Sequence, residues 1–263
     1  MKISILTIFP DLFPAAFAEG MIRAAREKQR LAIDVHNLRD FTDDPHRTTD
    51  DYPFGGGVGM IMKIEPIHRA LVATGLDEKG DRRPGERVVL FSPQGRRFTQ
   101  ALAIEYAALD HLVLLCGRYK GIDERVSERF VDEELSIGDF VLAGGEPAAL
   151  CVVDAVARLL PGVVGDFDSV ESDSFHSGLL DCAYYTRPAE YQGWKVSDVL
   201  LSGHHGNIAR HRREESLRRT FERRPELLAQ AELTRDDRRF LARLERERAE
   251  MAAAAPPAGP ERP

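Results

Sequence analysis

The sequence has few of the features that stabilise secreted proteins or anchor a chain in a membrane. Three of its 263 residues are cysteines, Cys116, Cys151 and Cys182. Their wide spacing, without a C-x-x-C pair, argues against a disulfide framework and a zinc knuckle. No apolar run approaches the roughly 20 residues of a membrane-spanning helix. The apolar stretch 3–9 meets Pro10 without a small-residue cleavage site, which argues against a signal peptide. We therefore expect a cytoplasmic protein with no membrane partner.

Several common catalytic and nucleotide-binding motifs are also missing. The string GGGVGM at 55–60 does not fit G-x-G-x-x-G, and no G-x-x-x-x-G-K-[ST] or G-x-S-x-G occurs. A dinucleotide fingerprint, a P-loop and a hydrolase elbow are thereby excluded. His204, His205 and His211 come nearest to a metal-binding set. Adjacent histidines cannot share one helical face and no carboxylate lies at ligand spacing, so we expect surface histidines and predict no metal site.

What the sequence does contain is an alternation of short apolar runs and amphipathic stretches over residues 1–160. This pattern is typical of an α/β fold with a mostly parallel sheet. Val88–Phe91 and Leu112–Leu115 are continuously apolar, as in strands that are buried on both faces. Further strands are predicted at 3–9 and 31–38, and helices at 14–30, 65–74, 99–109 and 145–160.

Composition divides the rest of the chain. Residues 161–176 are rich in Gly, Ser and Asp, carry no Lys or Arg and lack periodicity, so they predict a flexible linker. A small all-helical domain is expected over 177–248, followed by a disordered low-complexity tail at 249–263. Residues 1–160 form the larger, sheet-containing domain in this scheme.

Three glycine-bearing loops follow or interrupt the apolar runs. They are Ser92-Pro93-Gln94-Gly95, Gly117-Arg118-Tyr119-Lys120-Gly121, and Ser136-Ile137-Gly138 continuing to Gly144-Gly145. Ligands of open α/β sheets bind outside the carboxyl ends of the strands, and glycine lets the main chain approach a ligand closely. One such loop would only indicate a tight turn. Three on one edge predict a pocket for a small, partly apolar, zwitterionic cofactor.

The charge is unevenly distributed. The chain carries a net charge of −7, yet residues 204–250 hold 13 Arg against 10 Asp and Glu. On a helical wheel, Leu217 and Phe221 share one face, and Arg212, Arg219 and Arg223 lie roughly opposite. Such a face could bind the phosphates of a nucleic acid, although a solvated helix with internal ion pairs explains the same charges.

Several longer strings closely resemble those of the bacterial tRNA (guanine-37-N1)-methyltransferases, which belong to the knotted SPOUT superfamily. The resemblance runs in order from residue 1 to about residue 245. Its strings are ISILTIFPDLF at 3–13, HRTTDDYPFGGGVGM at 46–60, FSPQGRR at 91–97, LLCGRYKGIDERV at 114–126, DEELSIGDFVLAGGE at 132–146, DSFHSGLLDCAYYTRP at 173–188 and VLLSGHHGNI at 199–208.

The resemblance implies a C-terminal trefoil knot in the sheet domain, which periodicity alone could not predict. It also implies that S-adenosylmethionine is the cofactor, that tRNA with guanine at position 37 is the substrate, and that the enzyme is a homodimer with a shared active site. Asp173 would be the general base and Arg158 would orient the guanine or stabilise charge on its O6. Asp166, Asp168 and Glu171 are equal candidates for the base from the residues alone. Cofactor contacts are implied for Ser92, Pro93, Gly117, Tyr119, Gly121, Ser136, Ile137, Gly138, Leu142, Gly144 and Gly145.

The sequence departs from the family at one position beside the expected pocket. Lys120 stands where the family commonly has Glu, which puts the cofactor contact and any magnesium requirement in question. Two rival functions are left open by the residues. A related knotted enzyme could methylate a ribose hydroxyl or another base without a carboxylate at 173. A scaffold could bind RNA regardless of cofactor.

Overall fold

A computed structural model of the protein describes residues 1–165 and 172–254. These residues form two compact units, one in each of the described ranges. Asp166, Asp168 and Glu171 lie outside the described residues, as does most of the predicted disordered tail. The tail prediction starts too early, because residues 249–254 still belong to the last helix.

The first unit is built around a five-stranded sheet in the order β2-β1-β6-β5-β7, in which every paired neighbour is parallel. The strands of this sheet are β1 Lys2–Thr7, β2 Ala32–Asn37, β5 Glu86–Arg97, β6 His111–Leu115 and β7 Glu133–Ser136. Two separate antiparallel pairs are formed by β3 Asp50–Asp51 with β4 Ile61–Met62, and, in the second unit, by β8 Glu190–Tyr191 with β9 Trp194–Lys195. The predicted α/β fold with a mostly parallel sheet is confirmed.

Helices flank the sheet in the first unit and dominate the second. They are α1 Pro14–Phe17, α2 Gly20–Glu27, α3 Ile64–Thr74, α4 Gln100–Ala107, α5 Glu124–Phe130, α6 Glu146–Ala157, α7 Asp198–Leu201, α8 His205–Arg223 and α9 Arg235–Ala254. Short 3₁₀ turns occur at Pro10–Leu12, Leu38–Phe41, Lys79–Asp81 and Pro225–Ala229. No described helix combines the length and the apolar character needed to span a bilayer.

Two apolar layers cover the sheet, because neighbouring residues of a strand point to opposite faces. Ile5 belongs to the layer that includes α2, α4 and α6. Leu6 belongs to the other layer, with α3 and α5. Burial on both faces explains why the central strands read as continuous apolar runs rather than as alternating ones.

Two predicted elements differ in detail. The single helix expected at 14–30 is divided into α1 and α2, because Gly20, the first residue of α2, adopts a left-handed φ of 61° that interrupts the helix. The helix at 65–74 is confirmed, and Gly75 caps it with a φ of 85°. Strand β7 was not predicted, since it is only four residues long and begins with two glutamates.

The second unit has a small core of Leu179, Leu217, Phe240, Leu241 and Leu244 between α8 and α9. The expectation that it is all helical is wrong, because β8 and β9 form an antiparallel hairpin. Gln192 and Gly193 join these strands with φ values of 51° and 85°. Two consecutive residues with positive φ make the tight turn that matches strand twist.

Candidate functional site

The first of the three glycine-bearing loops is a bulge inside β5 rather than a loop after it. Phe91 and Arg96 both pair with Leu135 of β7, so the four residues between them are extruded from the ladder. Gly95 is required here because a Cβ at this position would lie 2.3 Å from the main-chain nitrogen of Leu135. The amide of Gln94 donates to the Ser92 hydroxyl at 3.2 Å, which closes the bulge.

The second loop follows β6 and is tied to the antiparallel pair formed by β3 and β4. The amide of Lys120 donates to the carbonyl of Met60 at 3.1 Å, and the amide of Met62 donates to the carbonyl of Gly121 at 3.0 Å. Tyr119 has a left-handed φ of 60°. Its phenol has a raised pKa because of partial burial and the nearby Asp50 carboxylate, so the hydroxyl is a hydrogen-bond donor at neutral pH.

The third loop connects β7 to α6. The amide of Gly138 donates to the Ser136 hydroxyl at 3.2 Å, and that hydroxyl donates to the Gly138 carbonyl at 3.1 Å. Gly138 has a φ of 154°, and a Cβ there would lie 2.5 Å from the Phe140 ring. The amide of Gly145 donates to the carbonyl of Gly117 at 3.0 Å. The third loop is therefore fixed to the second.

The three loops enclose one cleft of about 350 Å³, which is within the usual range for small-ligand sites. It lies beside the bulge of β5 and the carboxyl ends of β6 and β7, the edge at which open α/β sheets bind their ligands. The structure brings all eleven implied cofactor residues into its lining: Ser92, Pro93, Gly117, Tyr119, Gly121, Ser136, Ile137, Gly138, Leu142, Gly144 and Gly145.

Other residues of the lining were not predicted as site residues. They are Arg118, Glu124, Glu134, Phe140 and Val141, among others. The apolar triplet Phe140-Val141-Leu142, between Gly138 and the pair Gly144-Gly145, was the available signal, and it places apolar surface at the edge of the cleft. Nothing in the sequence indicated that the charged residues line the cleft, because the direction in which their side chains point depends on the tertiary packing of the loops.

A buried ion pair supports the cleft from beneath. Glu146, the first residue of α6, is fully buried. Its carboxylate accepts hydrogen bonds from the Thr7 hydroxyl at 2.7 Å and from Arg118 Nε at 3.1 Å. The Arg118 guanidinium also stacks on Phe9 at 4.3 Å. Gly144 leaves room for this pair, since a Cβ there would lie 2.1 Å from Arg118 Nε.

Cys116 is an inert part of this support. Burial raises the pKa of its thiol well above the usual value, and the Glu146 carboxylate raises it further. A buried neutral thiol is a poor nucleophile. A Cβ on Gly145 would lie 2.8 Å from the Cα of Cys116, so α6 begins in close contact with the end of β6.

The two implied catalytic residues lie outside the lining of this cleft. Arg158 is the C-cap of α6, about 15 Å along the helix axis from Ala148, the last lining residue of that helix. Asp173 is in the second unit, where its carbonyl accepts from the His176 amide at 3.3 Å. Both side chains have interactions with other groups.

The segment that follows Asp173 is folded against its own unit. Ser174 accepts a hydrogen bond from the Asp181 amide at 2.9 Å, and the Phe175 amide donates to Leu179 at 2.7 Å. Phe175 also lies beneath the Arg224 guanidinium at 5.7 Å. The carboxylate of Asp173 is therefore attached to a short, compact turn.

On α8, the arrangement agrees with the helical wheel. Leu217 is buried and Phe221 packs against the same core, whereas Arg212 and Arg223 are exposed and Arg219 pairs with Glu215 at 3.2 Å. His204 and His205 are exposed. Within residues 1–165 and 172–254, no group of three or more His, Cys, Asp or Glu side chains could hold a metal ion.

Fold and cleft together define an α/β protein whose parallel sheet carries, beside its glycine-bearing loops, a cleft of a size suited to a small organic ligand. The chain belongs to the family described as tRNA (Guanine-1)-methyltransferase TrmD, whose model matches residues 1–230.

Relatives named tRNA (guanine-N(1)-)-methyltransferase are similar over nearly their whole length. That of Bacillus cereus strain B4264 is 49% identical over 247 residues, which cover 94% of this chain and 100% of the relative. That of Desulforamulus reducens is 49% identical over 247 residues, which cover 93% of this chain and 95% of the relative. That of Bacillus anthracis is 48% identical over 244 residues, with 93% and 98% covered.

Proposed function

We propose that this chain is a tRNA methyltransferase that transfers a methyl group from S-adenosylmethionine to N1 of guanine 37, next to the anticodon. The observation that carries the proposal is the single cleft in which all eleven family-implied cofactor residues meet. The cleft alone would fit many small ligands. Because the chain matches this family over residues 1–230, we assign the cleft to the methyl donor of a tRNA methyltransferase.

The cleft suits this cofactor in shape and chemistry. Bound S-adenosylmethionine supplies a methyl group on a positively charged sulfur. The main-chain groups of the three loops would offer donors and acceptors to the adenine and amino-acid ends of the bound cofactor, and Ile137 and Leu142 would supply apolar surface for its rings. Gly121 has open space at its missing Cβ, so a ligand can approach the chain closely there.

Two residues of the chain complete the reaction in this proposal. The Asp173 carboxylate accepts the proton of guanine N1 as the N1 lone pair forms its bond to the methyl carbon and the carbon–sulfur bond breaks. Arg158 donates a hydrogen bond to guanine O6, where negative charge develops as the proton leaves. The proton taken up by Asp173 would balance the positive charge that the methyl donor brings, so charge is balanced.

We also propose that the enzyme is a homodimer with a shared active site. The separation of about 15 Å along α6 between Arg158 and the cleft of its own chain supports this arrangement. A partner's cleft would receive Arg158 and Asp173 from this chain. The trefoil knot is proposed on the resemblance, as is a role in tRNA binding for residues 177–248. The substrate implies a cytoplasmic location.

Magnesium stays an open requirement of the proposed reaction, because proteins often hold it with one or two carboxylates together with waters and substrate. A magnesium titration of the transfer rate measures any requirement directly.

The proposed base is tested by single-turnover transfer of labelled methyl to an unmodified tRNA transcript. Asp173→Asn keeps the shape of the side chain and removes its basicity, so we expect the transfer rate to fall by roughly 100-fold or more. Asp198→Asn, an exposed acid in the same unit, is the matched control and should retain the wild-type rate. Equal rates for both variants would overturn the assignment of the base.

The shared site is tested by mixing two inactive variants. Gly117→Val fills the cleft and Asp173→Asn removes the base, so neither homodimer should be active. Mixed dimers would contain one intact composite site, and we expect about one quarter of wild-type activity after subunit exchange. No recovery, with exchange shown by native mass spectrometry, would place the base and cleft of one site in the same chain.

A further inference from the structure

A second, smaller cleft lies within the C-terminal unit, separate from the loops of the cofactor cleft. It has a volume of about 150 Å³ and is lined by Cys182, Ala183, Tyr185, Ser197, His211, Arg212 and Glu215. This volume is below the range of pockets for drug-sized ligands and suits a single flat ring system.

The walls of this cleft are fixed by hydrogen bonds between the extended segment 180–185 and α8. The Leu180 amide donates to the Thr220 hydroxyl at 2.9 Å, and the Ser216 hydroxyl donates to the Leu180 carbonyl. Glu215 is held by Arg219 at 3.2 Å. The cleft is thus preformed within one unit and needs no partner to shape it.

The chemistry of the lining fits a nucleobase better than a phosphate. Tyr185 is 61% exposed and offers an aromatic face. Ser197, His211 and Glu215 offer both hydrogen-bond acceptors and donors, and the carboxylate would repel a phosphate that entered the cleft. The amino and imino edge groups of a base are suitable partners for a carboxylate.

The charge around the cleft matches a nucleic acid backbone. Arg212 is exposed and its guanidinium lies 5.5 Å from the centre of the Tyr184 ring. The cleft thus combines an aromatic ring and hydrogen-bond acceptors with one exposed arginine, the groups that sites use to stack a base and to bind its phosphate.

We propose that this cleft binds one unpaired nucleobase of the RNA substrate, stacked on Tyr185 and hydrogen-bonded to Glu215, at a site distinct from that of the methylated guanine. The proposal rests on the proposed function, since it takes tRNA as the partner. The base anchors the RNA on the C-terminal unit and contributes to affinity and not to the transfer step.

The test is the affinity of a fluorescein-labelled, unmodified tRNA transcript, measured by anisotropy. Tyr185→Ala should raise the Kd by roughly 5- to 100-fold, as expected for the loss of one base–aromatic stack. Tyr185→Phe keeps the ring and should bind within about twofold of wild type. Tyr191→Ala is the matched control, because Tyr191 is 56% exposed in the same unit but does not line the cleft.

Transcripts with a single abasic nucleotide, placed at each unpaired position in turn, identify the base. One such transcript should bind the wild-type protein weakly. Its affinity for Tyr185→Ala should be no lower, because the base that stacks on Tyr185 is already absent. The proposal is overturned if Tyr185→Ala and Tyr191→Ala have the same Kd for the intact transcript. It is also overturned if Tyr185→Ala raises the Kd by the same factor for every abasic transcript. Methyl transfer by the wild type is scored separately, so failure of the proposed activity would be recognised independently of this site.

Discussion

The guanidinium of Arg118 lies 3.0 Å from the carboxylate of Glu146, which has no exposed surface. This pair joins the loop after β6 to the first residue of α6, beneath the cofactor cleft. A carboxylate in this position is tolerated only while it is paired and hydrogen-bonded, because an isolated buried charge is very costly. The pair therefore determines the position of two of the three cleft loops.

We predict that Glu146→Ala lowers the free energy of unfolding by about 3 kcal/mol, because it leaves Arg118 without its buried partner. Glu78→Ala breaks the exposed pair with Arg129, which is formed at 2.9 Å, and should cost far less stability, because solvent screens an exposed pair. Urea unfolding followed by circular dichroism measures both. Similar losses in the two variants would contradict a supporting role for the buried pair.

A second prediction concerns the bulge in β5. Gly95→Ala places a Cβ within 2.3 Å of the Leu135 nitrogen, so β5 and β7 must separate. We expect the Kd for S-adenosylmethionine to rise by roughly tenfold or more, together with a loss of about 1–3 kcal/mol in stability. Gly80→Ala has open space and should change neither. Calorimetric titration would refute the prediction if Gly95→Ala bound the cofactor normally.

The pH dependence of stability follows from two partly buried histidines. Burial is the largest cause lowering the pKa of both His36 and His111 from 6.5. Nearby Lys2 lowers both further, and Asp34 opposes the shift. His111 contacts the Ser4 hydroxyl at 2.9 Å, and His36 Nε2 has no hydrogen-bond partner among the described residues.

Because the unfolded chain binds these protons more readily, the histidines contribute full stability above about pH 6.5 and lose it as the pH falls towards their folded pKa values. His111→Gln should reduce the decline in the free energy of unfolding between about pH 7.5 and 5.5. Identical slopes for wild type and His111→Gln would contradict this interpretation.

Strands β1, β2, β5 and β6 and the glycine-bearing loops of the cleft were the most predictable parts of the molecule. Buried parallel strands such as Leu112–Leu115 require apolar residues on both faces, so their signal is local. The glycines of the cleft are also local signals, because close packing, as at Gly95, excludes any side chain.

Other features depend on contacts between distant residues, which local patterns do not record. The partnership of Arg118 with Glu146 and Thr7 joins residues up to 139 positions apart. The small cleft beside Tyr185 depends on how segment 180–185 meets α8. Gly20 and the Gln192-Gly193 turn are local, yet their positive φ values were not deduced from residue type.

The most direct test of the proposed activity is transfer of labelled methyl to two otherwise identical tRNA transcripts, with guanine or adenine at position 37. The methylated nucleoside is then identified by mass spectrometry. We predict 1-methylguanosine at position 37 of the guanine transcript and no product from the adenine transcript. A 2′-O-methylated nucleoside, or equal methylation of both transcripts, would contradict the account and favour a ribose-methylating relative.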